Sequence, residues 1–228
     1  MALNIAVLIS GSGSNLQSII DAMEQGILDV NITLVLSNKK DAYGLQRADR
    51  HGLKNTVIMH TDFSSREDFD RAVVDEIRAS KAQAVVLAGF MRILTPYFIN
   101  SFSGRILNIH PALLPSFPGV DGQKQAAEYG VKISGCTVHF VDEKMDHGPI
   151  IIQAAVPCFS DDDAGSAGSR ILALEHRIFP QAIQWLAQDR LKITGRKVEI
   201  KDAPEPMIMG VGKNSFLISP GLDCKGLE

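Results

Sequence analysis

An amide and an imidazole stand two residues apart in Asn108-Ile109-His110-Pro111, at the end of a short apolar run. Side chains at positions i and i+2 of a strand point to the same side, so we expect Asn108 and His110 to project together. An amide donor beside an imidazole can hold and polarise a carbonyl group and supply a proton. A histidine that caps the loop after the strand is the alternative interpretation.

A second polar segment, Ser10-Gly11-Ser12-Gly13-Ser14-Asn15, lies between an apolar run and a helix-like pattern. In a parallel sheet, backbone N–H groups and the helix dipole form an anion site at this position. A dinucleotide-binding loop would have a third glycine where Leu16 stands, and an acid where Ser37-Asn38-Lys39-Lys40 stands. The loop therefore suits a single phosphate better than NAD or ATP, and a tight turn without a ligand is the alternative.

A third segment, Asp142-Glu143-Lys144-Met145-Asp146-His147-Gly148, joins two β-rich runs. In isolation, this composition is typical of a solvated hairpin loop. Three adjacent aspartates at positions 161–163 could indicate a metal site, but a helix N-terminus that favours negative charge is the simpler explanation. No metal site is predicted, because the histidines lack a ligand spacing such as HExxH.

The elements that must position these segments alternate along the first half of the chain. Short apolar runs typical of buried strands occupy residues 3–9, 31–36, 55–59, 84–88 and 105–109. Ser64 and Glu67 predict a capping box in front of a helix. Strands that alternate with helices imply right-handed βαβ units. The predicted fold class is α/β: a Rossmann-like open sheet, mostly parallel, with helices on both faces.

The alternation ends after Ile109, where HPALLPSFPGVDG holds three prolines and two glycines in thirteen residues. A short helix is predicted near residues 123–129, and two β-rich runs at 136–141 and 149–157 are expected to form an antiparallel extension of the sheet. A long helix then follows residues 161–163. We expect residues 1–195 to form the main domain and residues 196–228 an appendage of unknown role.

The composition limits the possible function classes. The 228 residues are 45% hydrophobic and 21% charged, with a formal net charge of −3. This balance argues against a nucleic-acid-binding protein, and no apolar run approaches the roughly 20 residues of a membrane span. Three cysteines without CxxC spacing, and a start without a basic signal-peptide region, predict a reduced cytoplasmic protein.

Four segments, in this order and spacing, resemble the phosphoribosylglycinamide (GAR) formyltransferase family. They are GSGSNLQ, AGFMRIL, NIHPALLPSFPG and VHFVDEKMDHGPII, and the resemblance covers about residues 3–190. It implies an enzyme of purine synthesis that transfers a formyl group from 10-formyltetrahydrofolate to the amine of glycinamide ribonucleotide. The implied partners are small-molecule substrates, with no metal, nucleic acid or membrane, and the implied assembly is a monomer or a homodimer.

The resemblance implies that Asn108, His110 and Asp146 form a catalytic trio. Asn108 and protonated His110 would stabilise the oxyanion that forms when the amine attacks the formyl carbon. Asp146 would keep His110 cationic, because a nearby carboxylate favours the charged imidazole. A proton would then move, through water, from the attacking amine toward the departing folate nitrogen. No covalent enzyme intermediate is needed.

The resemblance also implies binding residues. The substrate phosphate and glycinamide would contact Gly13, Ser14, Asn15 and Glu175. The folate would contact Arg66 near its glutamate tail, and Met91, Arg92, Ile93, Leu94, Asn108, Asp142, Glu143, Lys144, Met145 and Asp146 around the pterin. The alternatives are an exposed helix glutamate for Glu175 and a surface arginine for Arg66. His139 lies in the neighbourhood of the folate site by the same resemblance, but its alternating sequence context fits a packed strand histidine equally well. Residues 120–123 depart from the family pattern, so no contacts are transferred there.

Three other classes remain as alternatives. A formyltetrahydrofolate hydrolase shares the Asn/His/Asp site but carries an extra amino-terminal domain, whereas the first strand here begins at Leu3. A methionyl-tRNA formyltransferase needs a basic carboxy-terminal domain, where this chain has the charge-balanced residues 196–228. A non-catalytic phosphate-binding module would bind nucleotides with an affinity independent of His110.

Overall fold

The computed structural model describes residues 2–227, except the side chain of Ala164, and divides into two units at residues 108 and 109. The first unit contains parallel strands in the order β3-β2-β1-β4-β5. The strands are β1 (Leu3–Ile9), β2 (Val30–Ser37), β3 (Asn55–Val57), β4 (Ala84–Leu87) and β5 (Ile106–His110), whose last two residues belong to the second unit. The helices are α1 (Ser14–Glu24), α2 (Tyr43–Arg50), α3 (Arg66–Ala79) and α4 (Pro96–Ser101).

Both faces of the parallel strands are covered, as the apolar runs predict. In β1, consecutive residues such as Val7 and Leu8 point to opposite faces, and both are fully buried. On α1, the buried Leu16, Ile19 and Ile20 share one face of the helix. Continuous burial of this kind is typical of a parallel sheet between two layers of helix. The predicted α/β class is thereby confirmed.

The start of α3 differs by one residue from the predicted capping box. The N-cap is Ser65, whose Oγ accepts the N–H of Asp68 at 3.1 Å. Ser64 instead donates its hydroxyl to the Asp68 carboxylate at 3.0 Å. The predicted pairing of Ser64 with Glu67 is therefore wrong. Two serines precede two acidic residues here, and the helix is capped by the second serine, Ser65, through the N–H of the second acid, Asp68.

The second unit is built on antiparallel strands around one long helix. The pairs β6–β7, β7–β11, β10–β11 and β8–β9 are antiparallel, and β7–β9 is parallel. Their bounds are β6 (Ile133–Phe140), β7 (Ile150–Pro157), β8 (Leu191–Thr194), β9 (Lys197–Ile200), β10 (Met207–Met209) and β11 (Phe216–Ser219). The helices are α5 (Gly122–Tyr129) and α6 (Ala164–Ala187), and α6 packs on β6 and β7. The predicted antiparallel strand pair is confirmed.

Hydrogen bonds join the described part of the carboxy-terminal segment, residues 196–227, to α6. The guanidinium of Arg177 donates to the carbonyl oxygen of Leu227 at 2.6 Å. The side chains of Gln181 and Trp185, both fully buried, donate to the carboxylate of Asp223 at 2.7 and 3.1 Å. This segment therefore contributes structure to the second unit, while a domain boundary at residue 195 stays a prediction.

The three adjacent aspartates before α6 have structural partners. Asp163 is the N-cap and forms a reciprocal capping box with Ser166, at 2.7 and 3.0 Å. Asp162 accepts two hydrogen bonds from Arg170, at 2.5 and 3.0 Å. The pKa of Asp162 lies well below its ordinary value. The main cause is the hydrogen bonding from the Arg170 guanidinium, and the N–H of Phe159 makes the second largest contribution.

We predict that Asp162→Asn lowers the free energy of unfolding by about 2 kcal/mol at neutral pH, because a charged hydrogen-bond acceptor is lost. The pKa of Asp162 is lower in the folded state, so its stabilisation is complete above the ordinary aspartate pKa of about 4 and disappears as the pH falls below it. Urea unfolding over a pH series measures the free energy of unfolding of the wild type and of Asp162→Asn. The difference between these two free energies must become smaller in acid. Asp161→Asn, at an exposed ion pair with Lys213, is the control and should change little. A difference that is constant with pH would contradict the assignment.

Candidate functional site

Strand β5 carries the amide and the imidazole that the sequence singles out. Asn108 is half-buried, whereas Ile109 and His110 are buried. The strand ends at His110, because Pro111 has no N–H to donate to a ladder. The two polar side chains thus stand at positions i and i+2, at the carboxyl end of a strand.

His110 and Asp146 lie close together in the second unit. The Asp146 Oδ2 is 3.4 Å from His110 Nδ1, and His110 Nε2 is 2.8 Å from the carbonyl oxygen of Phe117. His110 is only 4% exposed. Both ring nitrogens therefore face oxygen acceptors, and only the imidazolium, with two N–H donors, satisfies both. The geometry offers an imidazolium one oxygen acceptor at each ring nitrogen.

The backbone fixes the position of Asp146. Its φ of 49° lies in the left-handed region, which aspartate tolerates better than most residues. Its Oδ2 also accepts the N–H of Gly119 at 2.7 Å. Two residues later, Gly148 packs so closely that a Cβ would lie 1.8 Å from the carbonyl oxygen of Phe140. The segment is therefore more than a solvated hairpin: Asp146 is held inward, while residues 143–145 are exposed.

His139 of β6 is a third ionisable group beside this pair. Its Nε2 lies 3.8 Å from Asp146 Oδ1, and its Nδ1 donates to the carbonyl oxygen of Phe140 at 2.8 Å. Burial lowers the pKa of His139, which favours the neutral ring. Sequence reasoning anticipated a packed strand histidine but missed its approach to Asp146. It also missed the backbone groups of Phe117 and Gly119, for which side-chain patterns give no signal.

The glycine-rich segment of the first unit forms the turn between β1 and α1. Gly13 is the N-cap of α1 with a φ of 68°, and no described side chain caps the helix there. The N–H groups of the first helical turn lack intrahelical acceptors, which makes them suitable for an anion. A Cβ at Gly13 would lie 2.6 Å from the Cα of Gly44, so this glycine also lets α2 approach the turn. A Cβ at Gly11 would meet open space.

A cleft of about 490 Å³ opens beside this turn, at the carboxyl ends of β1, β2 and β3. Its walls are residues 10–12, 38–43 and 59–61. Open α/β sheets bind ligands at this edge, and the volume lies within the range of small-molecule sites.

The structure distributes the remaining predicted residues between the units. Gly13, Ser14, Asn15, Arg66, Met91, Arg92, Ile93, Leu94 and Asn108 belong to the first unit, and His110, residues 142–146 and Glu175 to the second. Met91 is 62% exposed and Ile93 56% exposed, which is unusual for large apolar side chains. Glu175 is 5% exposed, so the alternative of an exposed helix glutamate is wrong. Arg66 lies exposed in the first turn of α3.

No group of three or more His, Cys, Asp or Glu side chains between residues 2 and 227 is arranged to hold a metal ion. Within the same range, no helix has both the length and the apolar character that a membrane crossing requires.

Comparison with known proteins places the chain in a family. Residues 3–183 match the formyl transferase family. The chain is 47% identical over 191 residues to phosphoribosylglycinamide formyltransferase of Escherichia coli K12, a match that covers 84% of this chain and 90% of the relative. It is 44% identical over 189 residues to the human trifunctional purine biosynthetic protein adenosine-3, of which it spans only 19%.

Solved structures agree with these sequence matches. Glycinamide ribonucleotide transformylase 1 from Symbiobacterium toebii superimposes with a TM-score of 0.86 at 48% identity, covering 87% of this chain and 94% of that one. Phosphoribosylglycinamide formyltransferase from Coxiella burnetii gives a TM-score of 0.84 at 40% identity, covering 88% and 94%. The chain belongs to the formyl transferase family. Within that family, the relatives from Escherichia coli, Symbiobacterium toebii and Coxiella burnetii carry the name of the glycinamide ribonucleotide enzyme.

We predict that Gly148→Ala lowers the free energy of unfolding by about 3 kcal/mol, because the new Cβ meets backbone atoms that cannot move aside. Urea or thermal unfolding measures the loss. The control is Gly165→Ala in the exposed first turn of α6, which should leave stability unchanged or raise it by less than about 1 kcal/mol. Equal stability of Gly148→Ala and the wild type would show that Asp146 is not held in the way described.

Proposed function

We propose that this protein transfers the formyl group of 10-formyltetrahydrofolate to the amine of glycinamide ribonucleotide, a step of purine synthesis. The buried His110–Asp146 pair is the observation that most directly supports this chemistry. The 47% identity to the Escherichia coli relative, whose name describes this reaction, supports the choice of substrate. A cytoplasmic location, and a monomeric or homodimeric state, complete the proposal.

The proposed reaction is a direct attack. The amine nitrogen of the substrate bonds to the formyl carbon, and the carbonyl electron pair moves onto oxygen. The Asn108 amide and the His110 imidazolium donate hydrogen bonds to that oxyanion. A proton passes, through water, from the attacking nitrogen to the folate nitrogen. The bond between the formyl carbon and the folate nitrogen then breaks, which leaves tetrahydrofolate and the formylated amine.

His110 must exchange one hydrogen-bond partner during this reaction. Its Nε2–H is donated to the Phe117 carbonyl, while Nδ1 faces Asp146. We propose that the substrate oxygen replaces the Phe117 carbonyl as acceptor, and that Asp146 keeps the ring cationic and oriented throughout. The hydrogen bond from Gly119 keeps Asp146 in place for this role.

The binding roles follow from the chemistry of each segment. We propose that the N–H groups at Gly13, Ser14 and Asn15 bind the substrate phosphate. The buried carboxylate of Glu175 binds donors of the glycinamide substrate. For the folate, backbone groups of residues 91–94 and 142–146 bind the pterin, the exposed Met91 and Ile93 contact its ring, and Arg66 pairs with the glutamate tail.

We predict that Asn108→Ala lowers kcat about 10²- to 10³-fold, the usual cost of one lost oxyanion donor. The assay mixes the protein with 10-formyl-5,8-dideazafolate and glycinamide ribonucleotide and follows deformylation optically. Asn31→Ala, at an exposed asparagine, is the control and should retain wild-type kcat. A wild-type kcat for Asn108→Ala would contradict the assigned role.

The same assay separates the alternative functions. Deformylation that proceeds equally well without glycinamide ribonucleotide would identify a hydrolase. Binding of the ribonucleotide without any reaction, and with an affinity unaffected by His110→Ala, would identify a phosphate-binding module.

We predict that Glu175→Gln raises KM for glycinamide ribonucleotide about tenfold, because a charged acceptor becomes neutral. KM for the folate analogue should stay within about twofold, since Glu175 is assigned to the other substrate. Glu128→Gln, at an exposed position of α5, is the matched control. If Glu175→Gln changed only the folate KM, the assignment would be wrong.

A further inference from the structure

Side chains hold both ends of the segment formed by residues 91–94. The Met91 N–H donates to Ser10 Oγ at 2.8 Å, and the Thr95 N–H donates to Asp70 Oδ2 at 2.7 Å. Ser10 and Asp70 are both buried. The segment belongs to neither a helix nor a strand, so no regular ladder fixes its backbone. These two anchors therefore determine where its peptide groups point.

The anchor at Met91 extends through two further side chains. The Ser10 hydroxyl donates to Asn38 Oδ1 at 2.6 Å, and Asn38 Nδ2 donates to His60 Nδ1 at 3.3 Å. Because the single hydroxyl proton of Ser10 is donated to Asn38, the lone pairs of Ser10 Oγ can accept the N–H of Met91. The same bond orients the Asn38 amide, whose NH₂ group then makes His60 Nδ1 an acceptor. This hydrogen-bond chain crosses the carboxyl ends of β4, β1, β2 and β3.

Packing connects His60 to the same segment by a second route. The ring of His60 meets that of Phe69 edge to face, with centroids 6.3 Å apart and an interplanar angle of 81°. The guanidinium carbon of Arg92 lies 5.8 Å from the centroid of the Phe69 ring. Phe69 is fully enclosed at 1% exposure. His60 is thus linked to Met91 by hydrogen bonds and to Arg92 by ring contacts.

We propose that Asn38 and His60 are positioning residues for the folate-binding segment 91–94. They set the direction of the Met91 peptide and the placement of Arg92 without touching the folate. The proposal rests on the proposed function, which assigns this segment to the pterin. Its consequence is selective: loss of either side chain weakens folate binding and spares the binding of the ribonucleotide.

Two substitutions of His60 test the hydrogen bond separately from the fold. His60→Leu removes the acceptor for Asn38, whereas His60→Asn can present an amide oxygen near the place of Nδ1. We expect His60→Leu to raise KM for 10-formyl-5,8-dideazafolate about fivefold, as the loss of one hydrogen bond implies. KM for glycinamide ribonucleotide and kcat should stay within about twofold. His60→Asn should recover most of the affinity for the analogue.

A double-mutant cycle tests whether Asn38 and His60 act on the folate-binding segment through the same hydrogen-bond network. Asn38→Ala should raise the same KM, and the double variant Asn38→Ala/His60→Leu should be no worse than Asn38→Ala alone. Additive effects, equal rises in both KM values, or a His60→Asn protein as impaired as His60→Leu would overturn the proposal.

Amide hydrogen exchange separates this inference from the proposed function. His60→Leu should speed exchange of the Met91 N–H, with little change at Thr95, whose anchor is Asp70. Unchanged exchange at Met91 would overturn the coupling even in an active enzyme. Failure of the wild-type protein to bind 10-formyl-5,8-dideazafolate would overturn the proposed function and the folate role together. Amide exchange at Met91 would still show whether His60 is coupled to Met91 through the hydrogen bonds of Asn38 and Ser10.

Discussion

The proposed chemistry depends on one imidazole ring that lies between two oxygen atoms. His110 has the Asp146 carboxylate at one ring nitrogen and the Phe117 carbonyl at the other, in a buried position. A buried neutral histidine could satisfy only one of these acceptors, whereas the cation satisfies both. The carboxylate balances the charge that burial would otherwise make costly. In the reaction proposed above, this imidazolium is the acid that donates to the developing oxyanion.

Local backbone geometry maintains this arrangement. Asp146 adopts a left-handed conformation and receives the N–H of Gly119, and Phe117, with a φ of 53°, adopts the same unfavourable region. Such conformations cost free energy and persist where the surroundings enforce them. Here the close contact at Gly148 and the hydrogen bond from Gly119 provide that enforcement. In the first unit, the Met91 N–H donates to Ser10, which is hydrogen-bonded through Asn38 to His60.

Much of this could be predicted from the sequence because the relevant signals are local. Apolar runs located the parallel strands, and the spacing of Asn108 and His110 followed from strand geometry. The capping box at α3 was misplaced, since Ser64 and Ser65 are equivalent until the helix is built. The approach of His139 to Asp146, and the backbone acceptor and donor at Phe117 and Gly119, depend on tertiary placement. The order of side chains along the sequence therefore does not predict these contacts.

The protonation state of His110 tests the central claim most directly. Nitrogen-15 NMR of the imidazole-labelled protein at neutral pH, with the His110 signals assigned by their loss in His110→Asn, reports each ring nitrogen separately. We expect Nδ1 and Nε2 of His110 both to carry protons. A signal from one unprotonated ring nitrogen would contradict this expectation, because a neutral His110 has one N–H and can donate to only one of the Asp146 carboxylate and the Phe117 carbonyl.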